Sequence, residues 1–96
     1  MSAYIIANVT VTNAAQYEEY KRLSSLAMQA HGAEVIVRGG AVTVVEGDWA
    51  PERLVVLKFA NVEQARRFND SVEYARARQA RSGAAVMRMV IVDGVA

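Results

Sequence analysis

Arg38-Gly39-Gly40-Ala41-Val42-Thr43-Val44-Val45-Glu46-Gly47-Asp48-Trp49-Ala50-Pro51-Glu52-Arg53 is the stretch on which the reading of this chain turns. It holds three of the six glycines, the only tryptophan and the only proline. Ala41 to Val45 is β-branched and reads as strand. Gly39-Gly40 reads as a bulge or bend within a strand that begins at Ala33, with Val42 to Glu46 as its continuation. Asp48 to Pro51 has the composition of a turn, and Arg53 to Phe59 is the returning strand. The segment is therefore a hairpin arm at the centre of the chain.

Working outward, Ala3 to Val11 is rich in Ile, Val and Thr and predicts a first strand. Asn13 with Gln16 three residues on is a capping pair, and it opens a helix carrying Tyr17, Tyr20, Leu23 and Ala27 on one stripe. Gly32 stands at the position that stops such a helix. After the arm, Asn61 and Gln64 cap a second helix through Val62 to Asp70. Ser71 is a fresh cap or kink, with helix resuming to Arg81 and Gly83 ending it. Val86 to Val92 is the last strand. The order βαββαβ is the ferredoxin-like α+β pattern: a four-stranded antiparallel sheet with helices on one face, in one domain spanning residues 1–96.

Alternation along the strands places Ile5, Ala7, Val9, Val55, Leu57, Phe59, Met87, Met89 and Ile91 under the helices. The other face carries Tyr4, Ile6, Asn8, Leu54, Val56, Lys58, Val86, Arg88, Val90 and Val92. That is too aliphatic for a face left in water, and a second copy packed sheet to sheet is the simplest cover. A homodimer is expected.

The Arg-Gly-Gly…Glu-Gly-Asp-Trp-x-Pro-x-Arg run resembles the signature of the domain-of-unknown-function 1330 family. Tyr17-x-x-Tyr20, the Arg53-to-Phe59 strand, Ser71-x-Glu73-Tyr74 and Arg81 add to the likeness, which spans nearly the whole chain. The resemblance implies a dimeric α+β barrel, an architecture shared with small cofactor-independent monooxygenases, stress-responsive barrel proteins and dehalogenating or isomerising enzymes. Two positions depart from the family pattern: Phe68-Asn69 replaces a Trp-Tyr pair, and Lys58 replaces an acidic residue.

Composition narrows the function. Ninety-six residues at 53% hydrophobic and 22% charged, with a net charge of +1, lack the basic excess of a nucleic-acid or membrane-surface binder. Without cysteine there is no disulfide, thiolate metal site or thiol nucleophile. No apolar run approaches the ~20 residues of a membrane helix, and the first residues lack a signal-peptide pattern, so a cytoplasmic protein is expected. No cofactor is implied. A lone histidine with no matching carboxylate spacing predicts no metal.

Candidate catalytic residues are His31, Arg38 and Asp48. His31, the one histidine, is either an acid–base group or a cation interacting with the C-terminus of the first helix. Arg38, re-aimed by the glycines after it, either binds a carboxylate or enolate-like oxygen or pairs with Asp48 or Glu46 to pin the arm. Tyr20, Trp49 and Asn8 are candidate ligand contacts. For Tyr20 the alternative is core packing, for Trp49 a contact with a partner subunit or helix, and for Asn8 a polar pair at the dimer interface. The arginines from Arg66 to Arg81 are interleaved with Glu63, Asp70 and Glu73, which reads as a solvated, ion-paired face. Two readings follow. One is a homodimer binding a small polar or aromatic molecule, with a cofactor-free proton transfer or oxygenation. The other is a binding or structural dimer without catalysis.

Overall fold

The computed structural model describes residues 1–95. Seven elements follow one another: β1 (Ala3–Val11), α1 (Ala14–Ala30), β2 (Glu34–Arg38), β3 (Arg53–Phe59), α2 (Val62–Asn69), α3 (Val72–Ala80) and β4 (Ala85–Asp93). The strands form one antiparallel sheet in the order β2-β3-β1-β4. This is the ferredoxin-like βαββαβ fold expected from the element order, with the second helix broken in two.

Each helix starts where a side chain takes up an orphan N–H. The Gln16 amide donates to Asn13 Oδ1 at 3.1 Å, Gln64 to Asn61 Oδ1 at 2.8 Å, and Tyr74 to Ser71 Oγ at 3.1 Å. Ser71 Oγ also donates to the Phe68 carbonyl at 2.7 Å, so one hydroxyl ends α2 and begins α3. Gly32, at φ 68°, closes α1, and the Ala33 amide reaches back to the Met28 carbonyl at 3.0 Å. That bond is the long one of a Schellman motif.

The helix-covered face of the sheet is the one predicted. Ile5, Ala7, Val9, Leu57 and Phe59 are buried there, meeting Tyr17, Tyr20, Phe68 and Tyr74 from the helices. Phe68 sits between Phe59 and Tyr74, with ring centroids at 5.4 and 4.8 Å. Fully burying one such ring contributes roughly 1.5–3 kcal/mol.

One expectation about the arm is corrected, and of the two readings of Gly39-Gly40, bulge or bend, the structure takes the bend. Val42 to Glu46 does not continue β2, and residues 40–52 form no regular element. Gly39, at φ 72°, turns the chain off the sheet in a left-handed conformation, and its amide makes the last arm contact with the ladder, to the Leu54 carbonyl at 2.9 Å. Beyond it β3 has already begun, so the β-branched run has no strand to pair with. The bulge also lies earlier than the glycines. Val35 faces Leu57 but Val37 faces Val56, so the extra residue is Ile36.

A candidate arginine-lined cavity beneath the first helix

The Ile36 bulge has a consequence for Arg38. An unbroken register would set Arg38 against Leu54 on the outer face; the bulge sets it against Val55 on the helix-covered face. Arg53 reaches the same face by plain alternation, two residues before Val55 and four before Leu57. Both guanidinium-bearing residues line the mouth of a cavity between α1, α3 and the sheet. Its walls are aliphatic and thioether (Ile5, Val55, Leu57, Met87, Met89), with Phe68. The volume open to the centres of water molecules is about 30 Å³, space for roughly two waters or a small organic group.

Polar groups are few and fixed. Tyr20 and Tyr74 share a hydrogen bond between their hydroxyls at 2.8 Å, and both rest against the Met87 sulfur at 3.9 and 3.8 Å. The Arg53 guanidinium lies over the Tyr17 ring at 5.8 Å, and that of Arg81 over the Tyr20 ring at 5.6 Å. Such stacking holds a guanidinium plane in one orientation. Arg38 donates through Nη2 to Ser25 Oγ on α1. The Nε groups of Arg53 and Arg81 are buried and make no hydrogen bond. Lys21 at the rim is held by Glu18 at 2.9 Å.

Burial raises the phenol pKa of Tyr17, with Arg53 opposing the shift, and pushes that of Tyr20 well above the phenol range, with Tyr74 adding to it. Folded phenols thus keep protons that unfolded ones release near pH 10, so the native state binds more protons there and stability must fall as pH rises past ~10. The stabilisation is fully present below that point. In an alkaline titration, phenolate absorbance from Tyr17 and Tyr20 should appear only together with loss of the circular dichroism of the fold. Ionisation of Tyr17 and Tyr20 with the fold intact would contradict this packing.

Of the six residues singled out from sequence, the structure brings Arg38 and Tyr20 to this cavity. His31 caps α1. Its Nε2 lies 2.9 Å from Glu73 Oε1, holding the Glu73 carboxyl below its usual pKa, and its carbonyl accepts from Gln64 Nε2 at 2.9 Å. The ring meets Phe68 edge-on at 6.3 Å without lining the cavity. Asp48 and Trp49 lie in the exposed arm, Trp49 being 61% exposed. Asn8 sits on the outer face between Leu54 and Arg88. Among the described residues, Arg38 and Asp48 form no ion pair. Of the cavity residues, Tyr17 was read from sequence mainly as core, and Arg53 was given no place in a site. For Arg53 the signal was available: it continues the Val55, Leu57, Phe59 face by one step.

Solved structures share this fold at low identity. A protein of unknown function from Rhodopseudomonas palustris matches with a TM-score of 0.74 at 16% identity, over 99% of this chain and 83% of its own. SnoaB, a cofactor-independent oxygenase from Streptomyces nogalater, matches with a TM-score of 0.68 at 11% identity, over 99% and 94%. A dimeric protein of unknown function with a ferredoxin-like fold from Bacteroides fragilis gives 0.66 at 8%, over 97% and 96%. No curated protein matches the chain. The profile of the Domain of unknown function (DUF1330) covers residues 2–95, and the chain belongs to that family.

Proposed function

We propose that this chain acts as a two-fold homodimer and binds a small polar or aromatic organic molecule in the cavity beneath α1. The observation that carries the binding reading is the contrast inside that cavity. An apolar floor of Leu57, Met87 and Met89 meets a mouth set with Arg38, Arg53 and the Tyr17 phenol. Ligand sites combine an apolar body with a few convergent polar groups in this way. The dimer reading rests on the outer face. There Val37, Val56, Ile6 and Val90 align in register as one aliphatic row across all four strands. The Bacteroides fragilis protein, alike in fold, is dimeric, which supports a dimer here.

Cofactor-free oxygenation, by likeness of fold to the Streptomyces nogalater protein, is the second reading. In it Arg38 holds a developing oxyanion and Tyr20 forms a wall, while His31 and Asp48 supply proton transfer only if the assembly brings them to a ligand. The cavity itself is lined by arginine, lysine, phenol, hydroxyl, thioether and hydrocarbon. No group of that set ordinarily titrates near neutrality, which favours binding over proton transfer as its principal role.

A titration with small aromatic molecules, followed through the ring resonances of the tyrosines, tests the site. Tyr17, Tyr20 and Tyr74 should shift together while Tyr4 on the outer face stays still. Shifts confined to Tyr4 and the arm, or none at all with a panel of neutral and charged compounds, would rule the cavity out.

A further inference from the structure

Arg38 and Arg53, which line the cavity, and Arg81, which lies over the Tyr20 ring of its wall, share a property that the other features of the cavity leave unexplained. The ion pairs among the described residues are Lys21–Glu18, Arg22–Glu19, His31–Glu73 and Arg67–Glu63, and none includes these three arginines. The acidic residues of the arm, Glu46, Asp48 and Glu52, are exposed, as is Glu34 on β2, and Glu73 on α3 is taken by His31. Arg53 is half-buried, its Nε is shut off from water without a partner, and Arg81 repeats the pattern over the neighbouring tyrosine. An N–H withdrawn from water and left unpaired costs free energy, more so on a cation. Native structures keep few such groups.

Their placement is built, not incidental. Gly39 has no side chain where a Cβ would overlap the Arg53 guanidinium, and its positive φ brings the strand end down beside it. Tyr17 lies under the same guanidinium. Arg38 is turned to the same face by the bulge at Ile36 and steadied by Ser25. Two forked cations therefore line one largely apolar cavity that contains no carboxylate.

We infer that the cavity selects a small monocarboxylate, its carboxyl group held by Arg53 and Arg38 at the mouth and its short apolar or aromatic body on Leu57, Met87 and Met89. This rests on the binding reading above and names the ligand class for that site. A planar carboxylate matches the guanidinium fork in two parallel N–H···O bonds, which a neutral amide of the same shape does not. Arg53 is the principal anchor because its plane is fixed by Tyr17 and Gly39; Arg38 supplies the second fork from the solvent side. Arg81, over Tyr20, adds positive potential without being required to touch the carboxylate.

The test compares benzoate with benzamide, and propionate with propionamide in case the mouth admits only a shorter body. Affinities are read by isothermal titration and by the tyrosine resonances. Benzoate or propionate should bind at least about tenfold more tightly than its amide, the scale of one charge-assisted hydrogen bond. Arg53→Gln should remove that preference, lowering the affinity for the carboxylate to about that for its amide; Arg38→Gln, on an exposed side chain, should reduce the preference and serves if Arg53→Gln fails to fold. Equal binding of acid and amide would overturn the anion inference and leave the cavity a ligand site. Binding of neither pair would overturn both. A carboxylate preference undiminished in both variants would place the anion elsewhere on the molecule and equally overturn the assignment.

Discussion

Val90→Glu is expected to give a folded monomer in place of the homodimer proposed for the parent chain. Val90 ends the aliphatic row Val37–Val56–Ile6–Val90 and is 58% exposed in the isolated subunit. A carboxylate there is solvated as long as the subunit is alone, so the fold itself should lose little. Packed against a second sheet, the same carboxylate would be withdrawn from water. The flanking rows hold Arg88 and Lys58, but a cation on the same open sheet is already solvated and does not repay full burial. Stranding one charge in an interface costs about 3–5 kcal/mol, which is a factor of roughly 10² or more in the dissociation constant. Light scattering and sedimentation at micromolar concentration measure this directly, with circular dichroism to show that the subunit stays folded. A parent chain that is already a stable monomer would sink the dimer proposal. So would a Val90→Glu protein with undiminished association.

The same outer face shows how far sequence carries in this fold. Alternation of period 2 in β1, β3 and β4 separates Ile5, Ala7 and Val9 from Ile6 and Asn8 as the structure has them, although both faces are largely aliphatic and a slip of one residue would exchange them. The caps were equally legible: Asn13, Asn61 and Ser71 each accept the amide three residues on. Beyond them legibility fails for identifiable reasons. Val35, Ile36 and Val37 are all aliphatic, so nothing in the pattern says that an extra residue lies among them, and its presence alone decides the face on which Arg38 lies. Val42 to Glu46 has strand composition but no partner strand, since the ladder ends at Gly39 and Leu54. Composition records what a segment would do if paired, not whether a neighbour exists. His31 and Asp48 drew notice as chemical types, whereas Arg53 was overlooked because a strand-initial arginine looks like surface. Its face, not its type, was the informative property.

Gly39→Ala should be the most damaging single change in the arm, and two other glycines make the claim testable. Gly47→Ala imposes a side chain at φ 84° with nothing within 4 Å, so it carries backbone strain alone. That strain is about 1–2 kcal/mol for a left-handed alanine. Gly40→Ala meets open space and has no positive φ, so it should be neutral or stabilising by up to about 1 kcal/mol through the unfolded chain. Gly39→Ala combines the strain at φ 72° with a Cβ driven into the Arg53 guanidinium. Arg53 is long enough to swing aside, so the overlap need not add much to the loss of stability, which should resemble that of Gly47→Ala. The difference lies in what moves. Arg53 displaced from Tyr17 no longer presents its fork to the cavity, and benzoate affinity should fall by about tenfold in Gly39→Ala alone. Denaturant unfolding and benzoate titration of the three variants separate strain from site. If Gly39→Ala and Gly47→Ala lose stability equally and both keep full benzoate affinity, Gly39 serves the turn only and the fixed position of Arg53 has no bearing on binding.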